Sequence, residues 1–261
     1  MNKIDLQWIG TAGFIFKTPQ LRFAFDPFLS RKDSQNPARL KPDDFKDIDH
    51  IFLGHGHFDH MYDVPAICAA TNLTVSASPQ NIGKLASLGV SPSRLQAVES
   101  GSTETLIAGQ KIFGFESKHV RFDWPLVKTT LKRCGVGGCL HVMRLGISYP
   151  AGGIRTYYFE MASKKFLFIS SAGCTDEELK KYAALEVDYL LLPLQGHSLI
   201  QSIGAHMAMV VRPKVIIPHH HDDFYPPMSQ SIDLKPFYND LKAQGFKGDV
   251  VELKMFEDSQ L

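Results

Sequence analysis

The chain has 261 residues, 44% hydrophobic and 21% charged, a composition that supports a sizeable core and excludes a disordered or low-complexity protein. Its 28 Lys and Arg stand against 27 Asp and Glu, and the resulting net charge of +1 argues against a surface built to hold nucleic acid or anionic lipid by bulk attraction. The longest apolar runs fall far short of the roughly 20 residues that cross a bilayer, the N-terminal residues lack the apolar core of a signal peptide, and four cysteines are too few for a disulfide framework, so a cytoplasmic location is expected.

In chain order, short apolar runs bounded by turn residues predict strands at 4–9, 13–17 and 21–25, the last closing on Asp26-Pro27, and a further strand at 49–53. Helical patterning at 63–70 and 79–88 flanks a strand at 74–78. Residues 95–116 return to a strand-like pattern with turns at Gly101 and Gly109 and lead to His119. Periodicity is lost over 121–138, where Trp124, Pro125, basic residues and a Gly-rich stretch predict a long irregular loop. Strands are expected at 140–148, 156–161 and 165–170, then a helix at 175–184, a buried strand at 189–194, a helix at 202–211, a strand at 214–217, and a last helix and strand reaching Phe256. With no repeat or linker, the expectation is one domain over 1–261, an α/β sandwich with helices outside packed sheets.

The eleven histidines are bunched. His55-Gly56-His57-Phe58-Asp59-His60 brings three imidazoles and a carboxylate together at the end of a strand, a density without structural benefit unless something coordinates them. Imidazole with carboxylate suits zinc, iron or manganese. His50, His141 and His206 stand alone and read as ordinary histidines. Cys134 and Cys139 lack the second pair that a zinc knuckle requires and read as thiols in a Gly-rich turn.

His-x-His-x-Asp-His after a hydrophobic strand resembles the signature of the metallo-β-lactamase superfamily. Trp8 to Phe14, Phe25-Asp26-Pro27-Phe28 and Ile217-Pro218-His219-His220 look like elements of its lactonase-like and phospholipase D-like branch, in the right order. The resemblance implies a four-layer αββα sandwich with a dinuclear site at one edge. It implies that His55, His57 and His119 hold one divalent ion and that Asp59, His60 and His220 hold the other. His220 is selected over His219 and His221 by its place two residues after the proline. Asp26 would stand behind the metal histidines and fix their rings.

One position departs from the family pattern. Where the family has a metal-bridging aspartate in Gly-Asp-Thr, this chain has Gly173-Cys174-Thr175. Cys174 would serve as a thiolate ligand and favour zinc; alternatively Asp176 would reach in, or one metal site would be weakened.

The resemblance implies a hydrolase that uses hydroxide generated at the metals on a small-molecule ester-type bond, lactone or phosphodiester, with Asp59 and His60 positioning the water or taking its proton. His197, after the strand 189–194, would contact substrate or donate a proton. The basic and aromatic residues of 121–138 suit an anionic or apolar substrate group. Nucleic-acid-processing members carry an extra domain that this length excludes, and diiron oxygen reductases replace a histidine of the motif that is present here as His57. The contrasting reading is a non-catalytic metal-binding or ligand-sensing protein. No nucleic-acid partner and no membrane span are expected; self-association is left open.

Overall fold

In the computed structural model, which describes residues 3–99, 102–107 and 109–261, two sheets of like design face each other. The expected turn at Gly101 lies outside the described residues. Strands β1 (Asp5–Gly10), β2 (Gly13–Lys17) and β3 (Arg22–Phe25) form an antiparallel meander. It continues in parallel through β4 (His50–Phe52), β5 (Thr74–Ala77) and β6 (Leu95–Ala97), with the short α1 (Phe58–Met61), α2 (Val64–Ala70) and α3 (Pro79–Ser87) in the connections.

The second sheet repeats the plan. Strands β7 (Ser102–Ile107), β8 (Gln110–Ser117), β9 (Ile154–Met161) and β10 (Lys164–Ile169) are antiparallel, with α4 (Trp124–Ser148) inserted between β8 and β9. Parallel strands β11 (Tyr189–Pro193), β12 (Val215–His219) and β13 (Asp249–Val250) follow, interleaved with α5 (Asp176–Ala183), α6 (Ile200–Val211) and α7 (Lys235–Ala243). The chain ends by pairing β14 (Asp258–Gln260) with β1. Among the described residues no helix is long and apolar enough to cross a membrane.

Period-two alternation decides what each sheet buries. On β2, β3 and β10, Phe14, Phe16, Phe23, Phe25, Phe166 and Phe168 point between the sheets, where they meet Tyr157 and Phe159 of β9. Phe25 stacks on Phe168 with ring centroids 4.3 Å apart, locking one sheet to the other. The alternate residues face outward: Ile15, Ala24 and Ile51 pack beneath α2 and α3, while Leu167, Ile169 and Leu190 pack beneath α5, α6 and α7. The result is the expected four-layer αββα sandwich.

The segment 121–148 corrects the sequence reading twice. The loop expected at 121–138 gives way to helix from Trp124 on, and the strand expected at 140–148 does not form; Trp124–Ser148 is helix, interrupted only at Gly135, whose φ of 61° joins two helical segments into a hairpin. Asp123 at the N-cap and Pro125 in the first turn start it. Val136, read as loop, and Leu140, Met143 and Ile147, read as strand, recur at spacings of four, three and four, which is helical periodicity.

Candidate metal centre

The site gathers at the ends of parallel strands, where open α/β sheets collect their ligand-binding groups. β4 runs into Leu53-Gly54-His55-Gly56-His57, and His57 caps α1, so Asp59 and His60 ride on the first turn of that helix. Gly54 is dictated by space: a Cβ there would lie 2.1 Å from Ser170 Oγ and 2.7 Å from Asp26 Oδ2. β8 leads to His119, β10 to Ser170, and β12 to His220.

Two candidate ligand groups result, each with its donor atoms within 4.8 Å of one another: His55, His57 and His119, and Asp59, His60 and His220. The rings of His57 and His119 lie 4.5 Å apart, and those of His55 and His60, which link the groups, 3.8 Å apart. Asp26, His55 and His60 also lie within that reach, but Asp26 is committed to hydrogen bonds. Its Oδ1 accepts the Gly54 N–H at 2.6 Å, and its Oδ2 accepts His60 Nδ1–H at 2.7 Å and Ser170 Oγ–H at 3.2 Å.

These bonds determine which ring nitrogens are free. Ser170 spends its one proton on Asp26, so at 2.7 Å its Oγ accepts from His55 Nδ1. His60 Nδ1 donates to a carboxylate, and His119 Nδ1 donates to the Val120 carbonyl at 2.6 Å. All three imidazoles therefore present an Nε2 lone pair, the form that binds a metal ion. Buried His220 Nδ1 has no hydrogen-bond partner among the described residues, and its Nε2 lies 3.2 Å from Asp59 Oδ2.

Electrostatics agree with this donor set. Burial holds His55 well below the usual imidazole range, with the neighbouring histidines adding to the effect, and pushes His57 down to about 4 against the opposing pull of Asp59. Burial also lowers His119. Burial opposes the charge of Asp59, yet His60 and His220 outweigh it and keep the carboxyl well below its ordinary range. His60 is raised, because Asp26 and Asp59 overcome its desolvation. Five imidazole nitrogens and one carboxylate, with orphaned buried nitrogen among them, fit divalent metal ions of the zinc, manganese or iron type.

Backbone strain supports the second group. Asp26, Thr11 and His220 are non-glycine residues with φ of 37°, 53° and 57°. The His220 N–H donates to Thr11 O at 2.8 Å, and the Thr11 N–H donates to Asp222 Oδ1 at 3.0 Å. Asp222 is held in turn by Arg31 at 2.5 Å in a fully buried ion pair. β12 ends at His219, so the left-handed turn, not strand alternation, aims His220 at Asp59. His219 sits between Phe14 and Phe168, and His221 lies against Trp8.

Cys174, expected as a thiolate ligand, belongs to neither of these groups. Gly173 packs so tightly on the His119 backbone that a Cβ would lie 2.3 Å from its carbonyl, and Thr175 at once caps α5. The thiol consequently turns to Ser117 Oγ at 3.3 Å, and burial pushes it up to about 12. Asp176 does not replace it; its carboxylate is exposed and bonds His206 Nε2 at 2.8 Å. His197 stands apart from both groups, its Nδ1 accepting the Leu199 N–H at 3.0 Å and lying 4.0 Å from Asp123 Oδ2.

Sequence reasoning missed Ser170, whose only signal is its place at the end of a strand, and the Arg31–Asp222 pair, separated by 191 positions. It also missed Tyr225, which joins Phe122 of the expected aromatic segment in a rim around the site. The exposed Phe122 ring lies 5.3 Å from that of His119, while Tyr225 packs on Phe58 and its hydroxyl bonds His141 Nε2 of α4 at 2.7 Å.

The sequence matches the Beta-lactamase superfamily domain over residues 5–220. The chain belongs to the metallo-β-lactamase superfamily. Similar superfamily members include a UPF0173 metal-dependent hydrolase of Pyrococcus furiosus, 27% identical over 263 residues that cover 99% of this chain and 100% of the relative. Another, from Polynucleobacter asymbioticus, is 25% identical over 229 residues, or 85% of this chain and 75% of the relative. Among solved structures, the metallo hydrolase Igni18 of Ignicoccus hospitalis shares the superfamily fold with a TM-score of 0.70 at 16% identity, covering 99% of this chain and 98% of that one. An isothiocyanate hydrolase from Delia radicum gut bacteria gives a TM-score of 0.67 at 12% identity, covering 98% of each chain.

Proposed function

We propose that the protein is a metal-dependent hydrolase that holds two divalent ions, zinc first among them, and cleaves an ester-type bond, lactone or phosphodiester, in a small molecule. The observation that carries this reading is the pair of adjoining donor groups in which His55, His60 and His119 each keep Nε2 free because Nδ1 is already bonded. The relatives named metal-dependent hydrolases support the reaction class.

His55, His57 and His119 would hold one ion, and Asp59, His60 and His220 the other; ions bound there would acidify a water and polarise the oxygen of the scissile bond. Asp59 stays ionised between His60 and His220, so its carboxylate can orient the attacking water and accept a proton from it. Ser170 and Asp26 hold the rings of His55 and His60 against rotation. Phe122 and Tyr225 offer apolar walls to the substrate, and Arg121 offers a cation. His197, with Nδ1 accepting a backbone N–H, carries its proton on Nε2 and can donate it to a leaving group.

Turnover of bis(p-nitrophenyl) phosphate and of a lactone panel, with and without chelator, tests the proposal. The expected result is hydrolysis of at least one substrate class that disappears with chelator and in His57→Ala. Fully metal-loaded protein without turnover on either class would leave a non-catalytic metal binder instead.

A further inference from the structure

The near-zero net charge conceals a strong local asymmetry. Between Asp123 and Glu160 the sequence has no carboxylate, yet it has Lys128, Lys132, Arg133, Arg144 and Arg155. Arg155 is buried on the Val98 carbonyl; the other four belong to α4. Lys128, Lys132 and Arg144 are exposed and make no ion pair among the described residues.

The same hairpin carries apolar side chains to solvent. In its second segment Val136, Leu140, Met143 and Ile147 form one stripe, with Val136 82% and Ile147 75% exposed, and Arg144 lies along it. In the first segment Trp124, 74% exposed, stands on one face with Lys128, Leu131 and Lys132. The opposite side faces the protein: Leu145 packs on the cluster of Phe28, Phe58 and Phe224, and Arg133 bonds the Met228 carbonyl. At the root of the hairpin, Ser198 bonds Asp123 and adds exposed Leu199 to the same apolar surface.

We propose that this hairpin is an interfacial docking surface for an anionic lipid bilayer, with the apolar stripe entering the headgroup boundary and the cations meeting lipid phosphates. An amphipathic helix with cations beside a Trp, Leu and Ile face has the chemistry of such a surface. Charge decides between this partner and a second copy of the chain. Copies meeting through the stripe would bring Arg144 and the lysines against their own like charges, whereas an anionic bilayer complements them.

The test uses the full chain with vesicles of phosphatidylcholine alone and of phosphatidylcholine with a quarter phosphatidylglycerol. Cosedimentation is expected with the anionic vesicles only and weakens as salt is raised. The protein has two tryptophans, and Trp8 is buried, so a blue shift of emission on binding reports Trp124. Lys128→Glu with Lys132→Glu is expected to lower partitioning about tenfold or more. Val136→Ser with Ile147→Ser should abolish the blue shift while leaving thermal unfolding unchanged, because both side chains are already in water. Equal binding to both vesicle types, no binding, or binding unaffected by these variants overturns the proposal. A dimer in light scattering that Val136→Ser with Ile147→Ser dissociates, without vesicle binding, assigns the surface to a second copy.

Discussion

Ser170 accepts the Nδ1 proton of His55 across 2.7 Å, and the direction of that bond is set by Asp26, which takes the hydroxyl's only proton. The serine thus presents the Nε2 lone pair of His55 to one donor group while the same Asp26 holds His60 for the other. Ser170→Ala should therefore leave the fold intact and weaken metal affinity about 10- to 100-fold, the usual cost of losing such a support. Competition with a chromophoric chelator measures this; unchanged affinity would mean that His55 needs no orientation.

Cys174 supplies a second prediction. Because its thiol faces Ser117 and burial pushes it up to about 12, Cys174→Ala should retain metal content and turnover. In the native protein at pH 8.5, mass spectrometry should find the Cys174 peptide unlabelled by iodoacetamide, and labelled after denaturation. Loss of a metal ion in Cys174→Ala would restore the thiolate as a ligand.

How far the site could be read from sequence follows from the range over which its contacts act. His55 to His60 are neighbours, so strand and turn chemistry suffices to bring them together. His119 and His220 arrive because each closely follows a strand whose apolar run is visible. Ser170 and the Arg31–Asp222 pair carry no local pattern, and only the folded sandwich brings them to the site. The hairpin at 124–148 was hidden for another reason: glycines at 135, 137 and 138 imitate a loop, although only Gly135 departs from helical geometry. The register of Cys174 with the family's aspartate says nothing of where its side chain turns once Gly173 has packed on His119.

The buried ion pair beneath His220 gives a stability prediction. Asp222→Ala strands the Arg31 guanidinium in the interior and frees the Thr11 N–H. Urea unfolding should show a loss of about 3–5 kcal/mol. Metal affinity should fall as well, since Thr11 O anchors the His220 backbone. A loss under about 1 kcal/mol would place the pair in a wetter setting than its burial indicates.

His50 should impose a pH dependence of its own. Burial holds it down to about 3, with Nε2 2.8 Å from Ser76 Oγ, whereas in the unfolded chain it takes a proton near pH 6.5. Its folded pKa lies below the unfolded one, so above pH 6.5 it contributes no slope. As pH falls from 6.5 toward 3 the unfolded state gains a proton that the folded state refuses, and stability drops by about 1.4 kcal/mol per pH unit. The difference between wild type and His50→Gln, measured by urea unfolding at fixed metal concentration, should therefore be flat above pH 7 and fall below pH 6. Parallel curves would show that His50 protonates in place.

Metal stoichiometry tests the proposed dinuclear centre most directly. Titration of metal-free protein with zinc, followed by calorimetry, should saturate at about two ions per chain. Saturation at a single ion, or no binding, would contradict the assignment of His55, His57 and His119 to one ion and of Asp59, His60 and His220 to another.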